Sequence, residues 1–71
     1  MEKYVKLLKD HNLKSTAQRL KLLTIIDSYG HIDIEVLYSE IKKIYPSVSL
    51  ATLYKNINNM LECGLLKELK L

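Results

Sequence analysis

Residues that end helices divide this chain into four segments of helical character. They are Asn12, Gly30, Pro46 and Gly64. Glycine and asparagine adopt the left-handed conformation that commonly closes a helix, and proline cannot continue one. In the first, third and fourth segments apolar residues recur every three to four positions, the period of an amphipathic helix. The pattern predicts four helices.

Oxygen-bearing side chains precede the second, third and fourth helices and can accept hydrogen bonds from their first N–H groups. Ser15 or Thr16 can cap the second helix, predicted over about residues 17–28, whose apolar residues surround it and make it the most buried. Asp33 can cap the third helix and Ser49 the fourth. The apolar positions of the third helix are Ile34, Leu37, Tyr38, Ile41 and Ile44. The apolar stripe of the fourth helix comprises Leu50, Leu53, Ile57, Met60 and Leu61.

The last six residues, 66–71, show a partial alternation of apolar and polar side chains, which predicts one β-strand. A lone strand is not stable, so either the chain continues in nature or the strand pairs with a segment elsewhere. The sequence therefore predicts a single domain over residues 1–71, mainly α with a short β-segment.

Composition sets wider limits on the class of protein. An apolar content of 48% in 71 residues suffices for one small core. No apolar run reaches the length of a membrane span, and no signal peptide precedes the first helix, so we expect a cytoplasmic protein without membrane contact. The single cysteine, Cys63, cannot close an intramolecular disulfide. A net charge of +3 favours polyanionic partners only slightly.

The polar side of the fourth helix carries Thr52, Lys55 and Asn58, with Tyr54 at the edge of the apolar stripe. In the major groove of DNA, lysine suits guanine, asparagine suits adenine, and hydroxyl groups suit phosphates. These residues fit a DNA-recognition helix. A solvated helix face that happens to be rich in asparagine fits equally well, and the pattern alone does not decide between the two.

A second cationic group lies where the first two helices meet. Lys14, Arg19 and Lys21 flank a helix N-terminus, which itself favours anions. Lys14 could reach phosphates or a narrow minor groove. Arg19 could contact the DNA backbone or be held structurally by a carboxylate. Ordinary surface charge is the alternative for each of the three.

The remaining chemistry-bearing residues give weaker signals. By its position alone, His31 is better explained as a solvated loop residue than as a metal ligand. A metal site needs three or more ligands, and no second His, Cys or Asp lies at a convincing spacing from His31. A phosphate-binding loop, a nucleophile elbow and a helical zinc motif are all missing from the sequence. We therefore expect a non-enzymatic function.

Four motifs of the chain carry a family resemblance together. They are LKSTAQR at residues 13–19, GHIDIEVLY at 30–38, PSVSLATLYKNI at 46–57 and ECGLL at 62–66. In this order they resemble the ferric uptake regulator superfamily of bacterial metal- or peroxide-responsive repressors. The motif at residues 46–57, which resembles the recognition helix, is the most specific of the four, and the resemblance extends over essentially the whole chain.

The resemblance implies a winged helix-turn-helix domain from a homodimeric repressor that binds A/T-rich palindromic double-stranded DNA when a regulatory metal is bound. It implies that Tyr54 and Lys55 contact bases and that Lys14 enters the minor groove. Ser49, Thr52 and Arg19 fall at positions suited to the DNA backbone. Asn58 is added to these candidate DNA contacts because it lies on the polar side of the fourth helix.

For metals, the resemblance implies that His31 is one ligand of a regulatory site, shared with ligands from a C-terminal dimerisation domain. Regulatory Fe²⁺ or Mn²⁺, and a structural Zn²⁺ in members with paired cysteines, are expected in a full-length protein. The 71 residues then represent the DNA-binding domain only, with no cofactor of their own.

Two departures from the family pattern leave the subfamily open between iron and peroxide regulators. Lys55 occupies a position where iron regulators usually have arginine and peroxide regulators often have asparagine. Asn12 replaces the customary glycine before the basic turn. Two other functions remain as alternatives: a winged-helix protein-interaction module and a non-specific nucleic-acid-binding module.

Overall fold

The computed structural model describes residues 2–68. The four predicted helices are confirmed, and a short fifth helix follows them. None of these described helices has both the length and the apolar character needed to cross a membrane. The elements are α1 (Glu2–Asp10), α2 (Ala17–Tyr29), α3 (Ile34–Ile44), α4 (Leu50–Glu62) and α5 (Leu65–Glu68).

Side-chain caps start α2, α3 and α4. The predicted caps Asp33 and Ser49 are confirmed, and of the two candidates for α2 it is Thr16 that caps the helix. In α2, α3 and α4 the capping oxygen accepts a hydrogen bond from the backbone N–H three residues later, at 3.2, 2.9 and 3.1 Å respectively. Each bond satisfies one of the N–H groups that have no partner within the helix. The helix starts are therefore encoded locally.

The turn between α1 and α2 depends on Asn12, which has a φ of 60°. The N–H of Leu13 donates to the carbonyl of Leu8 at 2.9 Å, and the N–H of Asn12 donates to Lys9 at 3.0 Å. These bonds close the C-terminus of α1 with a residue in the left-handed region. Asparagine is the side chain that best tolerates this region after glycine, which explains physically why either residue can occupy the position.

The core forms around α2, which is the most buried helix, as predicted. Helix α1 covers it from one side, and α3, α4 and α5 complete the enclosure. Fully or almost fully buried side chains come from all five helices: Leu8, Leu22, Leu23, Ile26, Leu37, Ile41, Leu53, Met60, Leu65 and Leu66.

Three apolar residues predicted on buried helix faces are exposed instead. Ile44, Leu50 and Leu61 have 44%, 43% and 56% of their surface accessible. Ile44 is the last residue of α3, Leu50 is the first of α4, and Leu61 is the last but one. The helix ends extend past the small core, so the period correctly identifies a helix but overstates how much of it is buried.

The predicted strand at residues 66–71 is wrong where the structure describes it, because Leu65–Glu68 is a helical turn. Consecutive residues of a strand point to opposite faces, yet Leu65 and Leu66 are both buried, at 0% and 3% exposure. A helical turn also forms its own backbone hydrogen bonds, which a strand without a partner cannot do. Residues 69–71 of the prediction lie outside the described residues.

Candidate nucleic-acid interface

Helix α3, the turn over residues 45–49 and helix α4 form a helix-turn-helix unit. The side chain of Val48 is buried in the turn, at 8% exposure. Its N–H donates to the carbonyl of Tyr45 at 3.0 Å, and its own carbonyl accepts from the Tyr38 hydroxyl at 3.4 Å. The bond to Tyr45 closes the turn itself, and the bond from Tyr38 ties the turn to α3.

Helix α4 has a core side and an opposite side that faces outward. Leu53 and Met60 are buried at 1% and 0% exposure, whereas Thr52, Lys55 and Asn58 are exposed. Because successive residues turn by about 100° around a helix, Lys55 and Asn58 lie roughly opposite the buried pair, and Thr52 lies about a quarter turn from it. We refer to Thr52, Lys55 and Asn58 as the outer face of α4. The two-sided pattern predicted for this helix is confirmed.

One flank of α4 is apolar and exposed. Tyr54, predicted at the edge of the apolar stripe, has 44% of its surface accessible and lies on the same side of the helix as Leu50 and Leu61. Its ring therefore stands beside the outer face, where it can contact a partner that also touches Lys55.

The other flank of α4 is tied to α2 through Asn56. The Asn56 side-chain amide donates to Gln18 Oε1 at 3.2 Å, and its Oδ1 accepts from Arg19 Nε at 3.3 Å. All three side chains are half-buried. The two bonds link the first turn of α2 to the middle of α4.

Arg19 also reaches back to the segment before α2. Its Nη1 donates to the backbone carbonyl of Lys14 at 3.1 Å. The predicted alternative of a structural role for Arg19 is thus partly correct, but its partners are an amide and a carbonyl and not a carboxylate. The Lys14 side chain itself is exposed.

Asn56 is not among the residues for which the sequence predicts a role. The available signal was asparagine inside a helix, where it has poor propensity. Its partners were not predictable, because Gln18 and Arg19 are 38 and 37 residues away in the chain.

The N-termini of α2 and α4 favour anions. The first turns of both helices contain no acidic residue, whereas α1 and α3 carry Glu2 and Glu35 there. The partial positive charge of a helix N-terminus is therefore not offset by a local carboxylate in α2 or α4. Ser49, at the start of α4, donates its hydroxyl to Thr52 Oγ1 at 2.9 Å, which places two hydroxyl groups at this terminus.

His31 lies apart from the outer face, exposed in the loop between α2 and α3. It borders an open groove of about 270 Å³ whose other lining residues are apolar: Ile26, Ile32, Ile34, Leu37, Ile57 and Leu66. Across residues 2–68, no three His, Cys, Asp or Glu side chains are grouped so that they could hold a metal ion. The described residues thus do not fit a complete metal site, although an exposed imidazole can supply one ligand.

Comparison with known proteins settles the family. The sequence profile of the Ferric uptake regulator family matches residues 10–71. The chain belongs to this family. The match includes the capped start of α2, the His31 loop and the whole helix-turn-helix unit, and it confirms the resemblance inferred from the four motifs.

Curated relatives in the Ferric uptake regulator family carry the names of regulators. A ferric uptake regulation protein homolog of Archaeoglobus fulgidus is 36% identical over 67 residues, which cover 92% of this chain and 52% of the relative. The ferric uptake regulation protein of Campylobacter upsaliensis is 39% identical over 74 residues, covering 100% of this chain and 47% of the relative. The peroxide operon regulator of Bacillus subtilis is 33% identical over 63 residues, which cover 87% of this chain and 43% of the relative.

The chain thus spans about half the length of the curated relatives it matches. Both iron and peroxide regulators are among them, so the subfamily stays open. Their names, which denote regulation and not catalysis, agree with the expectation of a non-enzymatic function. No solved structure gave a significant match.

Proposed function

We propose that this chain is the sequence-specific DNA-binding domain of a metal-dependent or peroxide-sensing transcriptional repressor, with α4 as the helix that enters the major groove. The observation that carries the proposal is the two-sided character of α4. Leu53 and Met60 fix it in the core, and the outer face presents a lysine, an asparagine and a threonine to solvent. These are the side-chain types that suit base edges and phosphates.

Each candidate residue has a proposed role. Lys55 and Asn58 would contact base edges, and the exposed ring of Tyr54 would contact bases from the flank, for example at a thymine methyl group. Ser49 and Thr52 would contact phosphates at the anion-favouring N-terminus of α4. Arg19 would contact the backbone, and Lys14 would contact phosphates or the minor groove.

For the full-length protein we propose a cytoplasmic homodimer on an A/T-rich palindrome, as family membership suggests. Regulatory Fe²⁺ or Mn²⁺ would take His31 as one ligand, and the other ligands, like any structural Zn²⁺ site, would come from outside residues 2–68. The exposed loop position of His31 supports such a shared role. The described residues form no strand, so any β-wing of the expected winged helix lies outside them.

The exposed apolar flank of α4 favours a second candidate function. Leu50, Tyr54 and Leu61 are each more than 40% exposed, at 43%, 44% and 56%. A partner protein could bury them against an apolar surface of its own, in which case the same helix would serve as a protein-interaction module.

A competition titration separates these functions. A duplex is first enriched from a random pool by repeated binding to the chain, and its affinity is then compared with that of a scrambled duplex at two salt concentrations. We expect weak binding that falls with salt, with a preference for the enriched duplex at both concentrations. A steep salt dependence without preference would identify a non-specific nucleic-acid module, and absence of binding to either duplex would favour the protein-interaction module.

A further inference from the structure

The side chain of Asn56 lies on α4 between the buried side and the outer face. One residue before it, Lys55 points outward, and three residues before it, Leu53 is buried. The amide of Asn56 uses both of its functional ends, since Nδ2 donates to Gln18 and Oδ1 accepts from Arg19. Through these two bonds Asn56 connects α2 with α4, the helix proposed to enter the major groove.

The Arg19 guanidinium extends this connection to a second part of the proposed interface. A guanidinium has five N–H donors. Within residues 2–68, Arg19 directs one donor to Asn56 Oδ1 and one to the Lys14 carbonyl. Two anchor points restrain the plane of the group, and three donors remain that could bind a phosphate, whose oxygens suit the arginine fork.

The segment before α2 is held on both sides of Lys14, by the bond from the Leu13 N–H to the Leu8 carbonyl and by the Thr16 cap. Residues 13–16 are outside the helices, and Lys14, Ser15 and Thr16 are exposed. The bond from Arg19 to the Lys14 carbonyl also restrains the backbone from which the Lys14 side chain projects. Two hydrogen bonds donated by Arg19, one to Asn56 Oδ1 and one to the Lys14 carbonyl, thus link this backbone directly to α4.

We propose that Asn56 is a positioning residue for DNA binding: it orients Arg19, and through Arg19 it sets where Lys14 lies relative to the outer face of α4. The inference rests on the proposed function, since it assigns Asn56 a role in recognising DNA. Asn56 itself need not touch the duplex. The cost of an asparagine inside the helix is then explained by the spatial relation that it maintains between two DNA contacts.

The test is a double-mutant cycle on DNA affinity with the variants Asn56→Ala, Lys14→Ala and the combination, measured on the enriched and scrambled duplexes. If Asn56 acts through Lys14, the loss caused by Lys14→Ala should shrink by about threefold or more once Asn56 is already alanine. The salt dependence should fall in Asn56→Ala as it does in Lys14→Ala, because Lys14 is no longer held near the phosphates. Independent, multiplicative losses would overturn the inference.

Two further variants separate positioning from stabilisation. Gln18→Ala removes the other bond of Asn56 and leaves the Arg19 bond in place, so it should weaken DNA binding less than Asn56→Ala. Asn59→Ala is the matched control, with the same substitution on the same helix, and it should show no coupling to Lys14. Should Asn56→Ala fail to fold, Arg19→Lys replaces it in the cycle, because lysine keeps the charge but lacks the planar group whose Nε and Nη1 bridge Asn56 and the Lys14 carbonyl. It should reduce the effect of Lys14→Ala in the same way.

An NMR measurement on the free protein keeps failure of the inference distinct from failure of the proposed function. The Arg19 Nε–H resonance should be protected from exchange with water in the wild type and lose that protection in Asn56→Ala but not in Asn59→Ala. Specific DNA binding without coupling between Asn56 and Lys14 would refute the inference alone. A protected Arg19 resonance in a chain that binds no duplex would refute both the DNA-binding function and the role of Asn56 in it.

Discussion

The Tyr4 hydroxyl donates a 2.6 Å hydrogen bond to Asp27 Oδ2 and thereby joins α1 to α2. The Lys3 ammonium lies 3.1 Å from the same oxygen. The hydrogen bond from Tyr4, and to a smaller extent that from Lys3, holds the pKa of Asp27 below its ordinary value of 3.8. In return, the hydrogen bond to Asp27 raises the pKa of Tyr4 above its ordinary value of 10.0.

This relationship predicts how Tyr4→Phe changes stability with pH. The depressed pKa of Asp27 means that its contribution is present above pH 3.8 and is lost as pH falls through the lower, folded pKa. The raised pKa of Tyr4 means that its contribution is present below pH 10.0 and is lost as pH rises through the folded pKa. Tyr4→Phe should therefore lower the free energy of unfolding by a constant amount between about pH 5 and pH 9, and by less on both sides.

Urea unfolding followed by circular dichroism across this pH range measures the difference. Tyr29→Phe is the matched control, because Tyr29 is 49% exposed and should give the same stability as the wild type throughout. A deficit in Tyr4→Phe that persists unchanged into acid would show that the Asp27 carboxylate is not the acceptor that matters.

Asn12 offers a test of backbone conformation. Asn12→Ala should lower the free energy of unfolding by about 1 kcal/mol, because a Cβ-bearing residue without a local polar group is disfavoured at positive φ. Asn12→Gly should be no less stable than Asn12→Ala and close to the wild type. Thermal unfolding of the two variants beside Ser39→Ala, an exposed position of α3, is the measurement. Equal stability of Asn12→Ala and Asn12→Gly would argue against the left-handed turn.

Lys55→Ala tests the outer face of α4. On the enriched duplex we expect a loss of about 1–3 kcal/mol in binding free energy and relaxed specificity at one base position. Lys9→Ala removes the same charge from an exposed position of α1. It should lower the affinity less, and by the same factor for both duplexes. Gel-shift titrations on the enriched and scrambled duplexes give both values. Unchanged affinity of Lys55→Ala for the enriched duplex would remove α4 from the proposed contact.

Leu65→Ala tests the helical turn that replaces the predicted strand. Leu65 is fully buried, at 0% exposure, so its truncation should cost about 2–5 kcal/mol, a large part of the stability of a small domain. Lys67→Ala, at an exposed neighbouring position, should cost little. Chemical denaturation gives the energies, and Cα chemical shifts of residues 65–68 report the conformation. Strand-like shifts there would restore the original expectation.

Local sequence was sufficient to predict the helices and their starts. Capping is a short-range interaction, so Asp33 and Ser49 could be assigned from the residues that follow them. The outer face of α4 followed from periodicity alone, and the family motif added the proposed roles of Tyr54 and Lys55.

Interactions between distant segments were not predictable in the same way. The bond that Asn56 donates to Gln18 and the bond that it accepts from Arg19 join residues more than thirty positions apart, and neither partner carries a pattern that identifies the other. Partial alternation in the tail predicts a strand, because it does not show that Leu65 and Leu66 pack against the same core. Periodicity places apolar residues at helix ends, such as Leu61, in the core because it contains no information on core size.

The cap at Ser49 also fixes the rotational phase of α4. Since the helix begins at the residue after this hydroxyl and each residue advances by about 100°, the spacing from Ser49 to Lys55 determines which way that side chain points. Adding or deleting one residue between them, with Ser49 still capping, would turn Lys55 by more than a quarter of a revolution relative to the cap and bring it towards a flank. Insertions and deletions in this interval are therefore more damaging than substitutions on the outer face, because a substitution removes one contact and a change of length misdirects all of them.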